Sequence, residues 1–102
     1  MLYGLEPHII EQTNSIFRKY PEIKKVIIYG SRAKGNYRNG SDIDLTILTN
    51  NMEFTILQKI ETEIDDLLLP YTFDISIFNN IDNQNLIDHI ERVGLDFYKQ
   101  DL

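Results

Sequence analysis

The stretch of residues 26–48 constrains the fold of this chain more than any other. Its sequence is VIIYGSRAKGNYRNGSDIDLTIL, in which an apolar run leads into Gly30 and Ser31. After ten intervening residues, a second run opens with two aspartates one residue apart, Asp42 and Asp44. A connection suited to phosphate therefore leads directly to a pair of carboxylates suited to a divalent cation.

The hydrophobic pattern predicts three strands and three longer helices. Short runs that are rich in β-branched residues or strictly alternating indicate the strands, and apolar stripes at helical spacing indicate the helices. The predicted strands cover residues 25–29, 42–49 and 73–78. The predicted helices cover residues 5–20, the segment after Asn50 and the segment from Asp82 or Asn83 onward. A single helical turn is predicted at 31–34. This order indicates an α/β or α+β fold with the helices on one face of the sheet. At 102 residues the chain is expected to form a single domain, residues 1–102.

Particular residues are expected at the helix ends and on the helix faces. Asn50 is predicted to cap the second long helix, with Glu53 at the reciprocal capping-box position. Phe54 is assigned to the apolar face of that helix. Phe97 is assigned to the apolar stripe of the last helix, with Gly94 as its break or cap.

The residue types limit the chemistry that the chain can perform. There is no cysteine and there are only two histidines, His8 and His89, which excludes disulfides and thiolate sites and disfavours zinc. A bound metal is therefore expected to have oxygen ligands, which points to Mg²⁺, Mn²⁺ or Ca²⁺.

Charge is distributed unevenly along the chain. Residues 1–38 carry seven basic and three acidic groups, whereas residues 39–102 carry three basic and thirteen acidic groups. Such an acidic chain is not expected to bind nucleic acid directly. No apolar run approaches the ~18 residues of a membrane span, and the first residues do not resemble a secretory signal, so a cytoplasmic location is expected.

A third aspartate, Asp74, opens the predicted strand at 73–78 in the way that Asp42 opens the strand at 42–49. If these strands are neighbours, Asp42, Asp44 and Asp74 form one acidic patch whose mutual repulsion a cation would relieve. The alternative is three exposed strand-end residues on a solvated sheet face. Similarly, Gly30 and Ser31 could form a simple turn with solvated basic residues around it.

Three common motifs do not fit the stretch. A P-loop needs Lys-Ser or Lys-Thr after Gly35, where this chain has Asn36 and Tyr37. The dinucleotide pattern GxGxxG is absent, and so are the further acidic ligands of an EF-hand loop. The pattern of Gly30-Ser31, ten residues, Asp42-x-Asp44 and a later strand with Asp74 resembles instead the nucleotidyltransferase superfamily that includes DNA polymerase β. The sequence YGSRAKGNYRNGSDIDLTIL looks most like the minimal nucleotidyltransferase (MNT) family of that superfamily. Members of this family are often the antitoxin partners of HEPN-domain toxins.

This resemblance implies the nucleotidyltransferase fold, which is α/β (α+β) with a small mixed β-sheet and helices packed on one face. It also implies roles for individual residues. Gly30 and Ser31 would hold the β- and γ-phosphates of a nucleotide, and Arg32 would contact phosphate as a further nucleotide-binding residue. Asp42 and Asp44 would ligate two Mg²⁺ ions (Mn²⁺ is possible). Asp74 would complete one metal site and help activate the acceptor hydroxyl in a two-metal displacement.

The resemblance also implies a partner protein, because the chain has little beyond the conserved core of the family to grip an acceptor. The implied reaction transfers AMP from ATP to a tyrosine of a HEPN-type toxin, as in a type VII toxin–antitoxin system. Two alternatives stay open from sequence. One is a non-catalytic antitoxin that neutralises by binding, and the other is an antibiotic-type adenylyltransferase that needs a partner subunit.

Overall fold

The chain folds around a four-stranded sheet, and the computed structural model describes residues 1–101 of it. The strands are β1 Ile23–Tyr29, β2 Ile43–Thr49, β3 Phe73–Ile77 and β4 Leu95–Lys99, and the helices are α1 Pro7–Phe17, α2 Gly30–Lys34, α3 Phe54–Asp65 and α4 Gln84–Val93. A 3₁₀ turn at Phe78–Asn80 follows β3. None of the helices within residues 1–101 is long and apolar enough to cross a membrane.

The sheet is mixed, as predicted, with strand order β3-β2-β1-β4. β1 pairs antiparallel with both β2 and β4, whereas β2 and β3 pair parallel. The segment that contains α2 joins the antiparallel pair β1 and β2, and α3 makes the crossover that a parallel pair requires. The predicted α/β (α+β) class is therefore confirmed.

Helices α1 and α3 cover one face of the sheet and enclose the main core. Alternate strand residues point to this face, among them Val26 and Ile28 of β1 and Leu45 of β2, all fully buried. Phe17 of α1 and Ile60 of α3 meet them and are also fully buried. Burial of these apolar stripes is the main force that holds the two helices on the sheet.

Helix α4 lies on the opposite face, which corrects the prediction that the helices pack on one side. His89 contacts the ring of Tyr29, and a Cβ at Gly94 would overlap the side chain of Ile27. Tyr29 and Ile27 alternate with the core-facing residues of β1, so they belong to the other face. Ile90 is buried there, outside the main core.

The structure adds a strand that the sequence pattern does not predict. Residues after Gly94 form β4, so the assignment of Phe97 to a helical stripe is wrong, although Gly94 does cap α4 as predicted. Phe97 is buried, and its ring stands edge-on to Phe17 with 6.5 Å between centroids. The step from Val93 to Phe97 fits a helix, but the step from Leu95 to Phe97 fits a strand equally well. Pairing with β1 decides between the two periods.

Helix α3 begins later than predicted. Its N-cap is Glu53 rather than Asn50, so the predicted capping box is wrong. Phe54 is 65% exposed and does not lie on the apolar face. Side chains of a first helical turn point back toward the helix start, which here leaves the ring of Phe54 beyond the core.

Two phenylalanines test this arrangement. Phe97→Ala is expected to lower the free energy of unfolding by about 3–5 kcal/mol, because it leaves a cavity beside Phe17. The matched control Phe54→Ala is expected to change it by less than about 0.5 kcal/mol, because its ring is exposed. Urea denaturation followed by circular dichroism measures both, and equal losses would contradict the placement of Phe97 in the core.

Candidate active site

A row of side chains crosses three strands at the end of the sheet where β1 stops and β2 and β3 begin. In this row Tyr29 pairs with Asp44, and Asp44 pairs with Asp74. Neighbouring strands lie about 4.8 Å apart, so these side chains are adjacent on one face. Asp42 immediately precedes β2. The structure therefore brings the three aspartates to one end of the sheet, where the sequence pattern expects them.

The acidic groups of this row repel one another. The pKa of Asp44 is raised above its ordinary value of 3.8, first by burial and then by the negative charges of Asp74 and Asp42. The pKa of Tyr29 is also raised, mainly by burial and further by Asp74 and Asp44, while a hydrogen bond with Ser76 opposes the shift. The ionised form of Asp44 is therefore disfavoured, and a bound cation would favour it.

The turn at Gly30 and Ser31 touches this row directly. Gly30 has a φ of 74°, which residues with a side chain rarely adopt. A Cβ at Gly30 would overlap the carboxylate oxygen of Asp44. Ser31 follows in the first turn of α2 and is half-buried. The predicted phosphate connection and the predicted metal ligands are thus in contact in space.

Two hydroxyl side chains join β2 and β3 behind the row. The Ser76 hydroxyl donates a hydrogen bond to the Thr46 hydroxyl at 3.0 Å. Thr46 lies on the same face as Asp44, as the alternation predicts, but it is fully buried. This bond holds the two strands together one step beyond the pair of Asp44 and Asp74, which keeps the carboxylates in register.

The structure places the side chain of Arg32 in the interior of the protein. Its side chain is 4% exposed, and it donates hydrogen bonds to the backbone carbonyls of Ser41 and Tyr3. The guanidinium is thus engaged by backbone carbonyls in this structure, and its predicted contact with phosphate stays a prediction. Lys34 and Arg38, the other basic residues of this segment, are exposed.

The sequence analysis misses one residue of this site, His89 of α4. Its Nε2 accepts a hydrogen bond from the backbone N–H of Gly30 at 3.2 Å, and its ring stands edge-on to Tyr29. Accepting this bond requires an unprotonated Nε2, with the proton of the neutral ring on Nδ1. One sequence signal could have identified it: His89 follows Leu86 by three positions and so lies on the side of α4 that packs against the sheet.

The three aspartates offer carboxylate oxygens as metal ligands, and these side chains are only partly gathered. Within residues 1–101, no three histidine, cysteine, aspartate or glutamate side chains already form a metal-ligand group. Asp42 and Asp74 are exposed, and Asp44 is half-buried. Mg²⁺ usually takes one or two protein carboxylates and completes its shell with water and substrate phosphates. An open carboxylate row beside a phosphate-type turn fits such an ion.

Asp44→Asn tests the repulsion within the row. Because the folded pKa of Asp44 is raised, the ionised carboxylate lowers stability as the pH rises through that pKa, and this loss is absent below the ordinary value of 3.8. The metal-free variant is therefore expected to unfold at higher urea concentration than wild type at neutral pH. The difference should vanish below pH 3.8. Asp65→Asn, an exposed position on α3, is the control for the change of an aspartate to an asparagine outside this row.

His89→Gln and His89→Asn test the hydrogen bond to Gly30. The Gln amide oxygen can reach the position of Nε2, whereas the Asn oxygen falls near Nδ1. Gln is expected to keep the Gly30 amide protected, and Asn is expected to raise its hydrogen-exchange rate roughly tenfold, the equivalent of one net hydrogen bond. Exchange followed by NMR measures this, with the Gly35 amide, bonded to the Ser31 carbonyl at 2.9 Å, as the internal control. Equal protection in both variants would show that the bond contributes nothing.

Sequence comparisons agree with this geometry. The family model described as polymerase beta, nucleotidyltransferase matches residues 11–102. A relative from Methanocaldococcus jannaschii, named as a protein adenylyltransferase, is 39% identical over 67 residues, which are 65% of this chain. The chain spans 63% of the length of that relative.

Solved structures share the fold at low sequence identity. A chain of a toxin–antitoxin complex with AMP-PNP has a TM-score of 0.72 at 15% identity, covering 90% of this chain and 74% of that one. A chain of the tri-AMPylated Shewanella oneidensis HEPN toxin in complex with its MNT antitoxin has a TM-score of 0.69 at 12% identity, covering 94% and 74%. These similarities establish the fold, and the family model establishes the relationship over most of the sequence. The chain belongs to the polymerase beta nucleotidyltransferase family.

Proposed function

We propose that this chain is a metal-dependent nucleotidyltransferase that moves AMP from ATP to a hydroxyl of a partner protein. In this proposal the acceptor is a tyrosine of a HEPN-type toxin, and the chain is the antitoxin of a type VII pair in the cytoplasm. The observation that carries the proposal is the contact between Gly30 and Asp44, which sets a phosphate-type turn against a carboxylate row.

The relatives support this choice of reaction and acceptor. The 39% identical relative is named as a protein adenylyltransferase. One structural neighbour belongs to a toxin–antitoxin complex with AMP-PNP, and another to a complex whose HEPN toxin is tri-AMPylated. Those descriptions concern those proteins, and the similarity of this chain to them makes the same reaction the best proposal for this one.

Each site residue has a role that follows from its position. Gly30 lets the nucleotide phosphates approach the backbone closely, and Ser31 offers them its N–H and hydroxyl. Asp42, Asp44 and Asp74 supply oxygen ligands for Mg²⁺, with two ions expected. When bound, these ions lower the pKa of the acceptor hydroxyl and stabilise the leaving pyrophosphate.

The proposal places the acceptor beside Asp74, because β3 is an edge strand of the sheet and Asp74 is exposed there. In the proposed step the acceptor oxygen attacks the α-phosphorus of ATP, the bond to pyrophosphate breaks and the hydroxyl proton passes to Asp74. The protein contributes mainly position and charge, since in-line transfer needs little else from side chains.

A partner is expected to supply the acceptor hydroxyl. Asp42 and Asp74 are exposed, so the outer end of the row is accessible to another protein. The chain then works as one half of a hetero-oligomer, with ATP held against Gly30 and Ser31 and the partner's tyrosine presented beside Asp74.

Incubation with ATP, Mg²⁺ and the product of the adjacent gene, followed by mass spectrometry of that product, tests the proposal. Wild type is expected to add one or more AMP groups to the partner. The double variant Asp42→Asn, Asp44→Asn is expected to be at least about a hundredfold slower, because it loses ligands for the metal. Asp65→Asn serves as the control and should retain wild-type activity.

A toxicity assay of the partner and a screen of small-molecule hydroxyls, run with the same variants, separate the alternatives. Neutralisation of the partner by the double variant as effectively as by wild type would indicate an antitoxin that acts by binding alone. Transfer of AMP to a small-molecule hydroxyl, with none to the partner protein, would indicate an antibiotic-type enzyme. Wild type that binds the partner but leaves its mass unchanged would overturn the protein-modifying version.

A further inference from the structure

We propose that Arg32 is a positioning residue that sets the location of the Asp42 carboxylate. This inference rests on the proposed function, since it concerns a predicted metal ligand of that site. Arg32 donates two hydrogen bonds to the carbonyl of Ser41, from Nε at 3.1 Å and from Nη2 at 2.9 Å. That carbonyl belongs to the peptide group that joins Ser41 to Asp42, so the fork fixes the backbone immediately before the carboxylate.

The anchor is needed because the preceding segment is open. Residues 34–40 are exposed. Within this loop, the N–H of Arg38 donates to the Ser41 hydroxyl at 2.9 Å, and the N–H of Ser41 donates to the Arg38 carbonyl at 3.0 Å. These bonds close the turn on itself but do not attach it to the body of the protein. Arg32, which sits in α2 one residue after Ser31, makes that attachment.

The guanidinium also contacts two aromatic rings. Its central carbon lies 5.3 Å from the ring centroid of Tyr37 and 5.2 Å from that of Tyr71, within the range of cation–π attraction. Tyr37 belongs to the open loop, and Tyr71 lies two residues before β3, the strand that carries Asp74. One side chain thus touches both the segment that leads to Asp42 and the segment that leads to Asp74.

The N-terminal segment completes the enclosure of this side chain. Nη1 of Arg32 donates to the carbonyl of Tyr3 at 3.0 Å, and Arg32 is 4% exposed. Burial of a charged group is costly unless it is hydrogen-bonded, and here backbone carbonyls accept three of the five N–H donors of the guanidinium. Lysine could not replace this arrangement, because an ammonium has no planar fork to hold one carbonyl and reach a second.

The two possible roles of Arg32 predict different losses. A phosphate contact would contribute to nucleotide affinity even without metal. A positioning role affects the metal instead, because a misplaced Asp42 weakens ion binding while Gly30 and Ser31 still receive the phosphates. Residues that orient metal ligands typically contribute about 10–100-fold to metal affinity.

Arg32→Lys is the test, with Arg18→Lys as the control, since Arg18 is a surface residue paired with Glu11. Mn²⁺ affinity is measured by electron paramagnetic resonance, and affinity for a fluorescent ATP analogue is measured in EDTA. Arg32→Lys is expected to weaken Mn²⁺ binding about tenfold and to leave metal-free nucleotide binding within about twofold. The control should change neither quantity.

Other outcomes have separate meanings. Unchanged Mn²⁺ affinity with weakened metal-free nucleotide binding would overturn the positioning role and restore a phosphate contact. If Arg32→Lys does not fold, Tyr71→Leu replaces it as the test, with Tyr71→Phe, which keeps the ring, as its control. Tyr71→Leu is expected to weaken Mn²⁺ binding and Tyr71→Phe is not. Equal Mn²⁺ affinities of the two variants would overturn the inference. Wild type that binds no Mn²⁺ would instead refute the proposed function.

Discussion

The approach of the Gly30 backbone to the Asp44 carboxylate is the contact on which the rest of the site depends. It is possible because β1 and β2 pair antiparallel in the register that sets Tyr29 opposite Asp44, so the residue after Tyr29 turns over the carboxylate. A side chain at position 30 would push that carboxylate aside. The turn at Gly30 and the carboxylate row that contains Asp44 are therefore two parts of one local structure.

This arrangement has a cost in stability that the surrounding structure offsets. Burial and two neighbouring aspartates disfavour the ionised form of Asp44. Around the row, Ser76 and Thr46 hold β3 to β2, and His89 holds the turn at Gly30. These hydrogen bonds join a neighbouring strand or the backbone and do not engage the carboxylates. Such an arrangement is expected for a binding site that gives up some stability so that its charged groups remain available to a ligand.

A structural feature could be predicted from the sequence when it is set within one segment of the chain. It could not be predicted when it depends on contact between two segments. The α1 and α3 stripes and the three predicted strands follow from periodicity within a segment, whereas the mixed sheet depends on how separate strands pair. The sequence pattern misassigns Phe97 because its neighbours fit both a helical and a strand period. Only the pairing of this segment with β1 decides for the strand. The side of the sheet that α4 occupies likewise depends on Ile27 and Gly94, which are far apart in the chain.

The sequence by itself determined the elements of the site that lie close together along the chain: Gly30 and Ser31 after a strand, and Asp42 and Asp44 at the start of the next. Their spacing is set by local backbone geometry, which a short stretch encodes completely. Only the tertiary structure decided what meets this stretch from elsewhere. Asp74 arrives through parallel pairing, His89 through α4, and Arg32 turns inward because Tyr3, Ser41 and two tyrosine rings enclose it. A basic residue beside a phosphate-type turn could equally have faced solvent, and burial by distant segments is a property that no local pattern records.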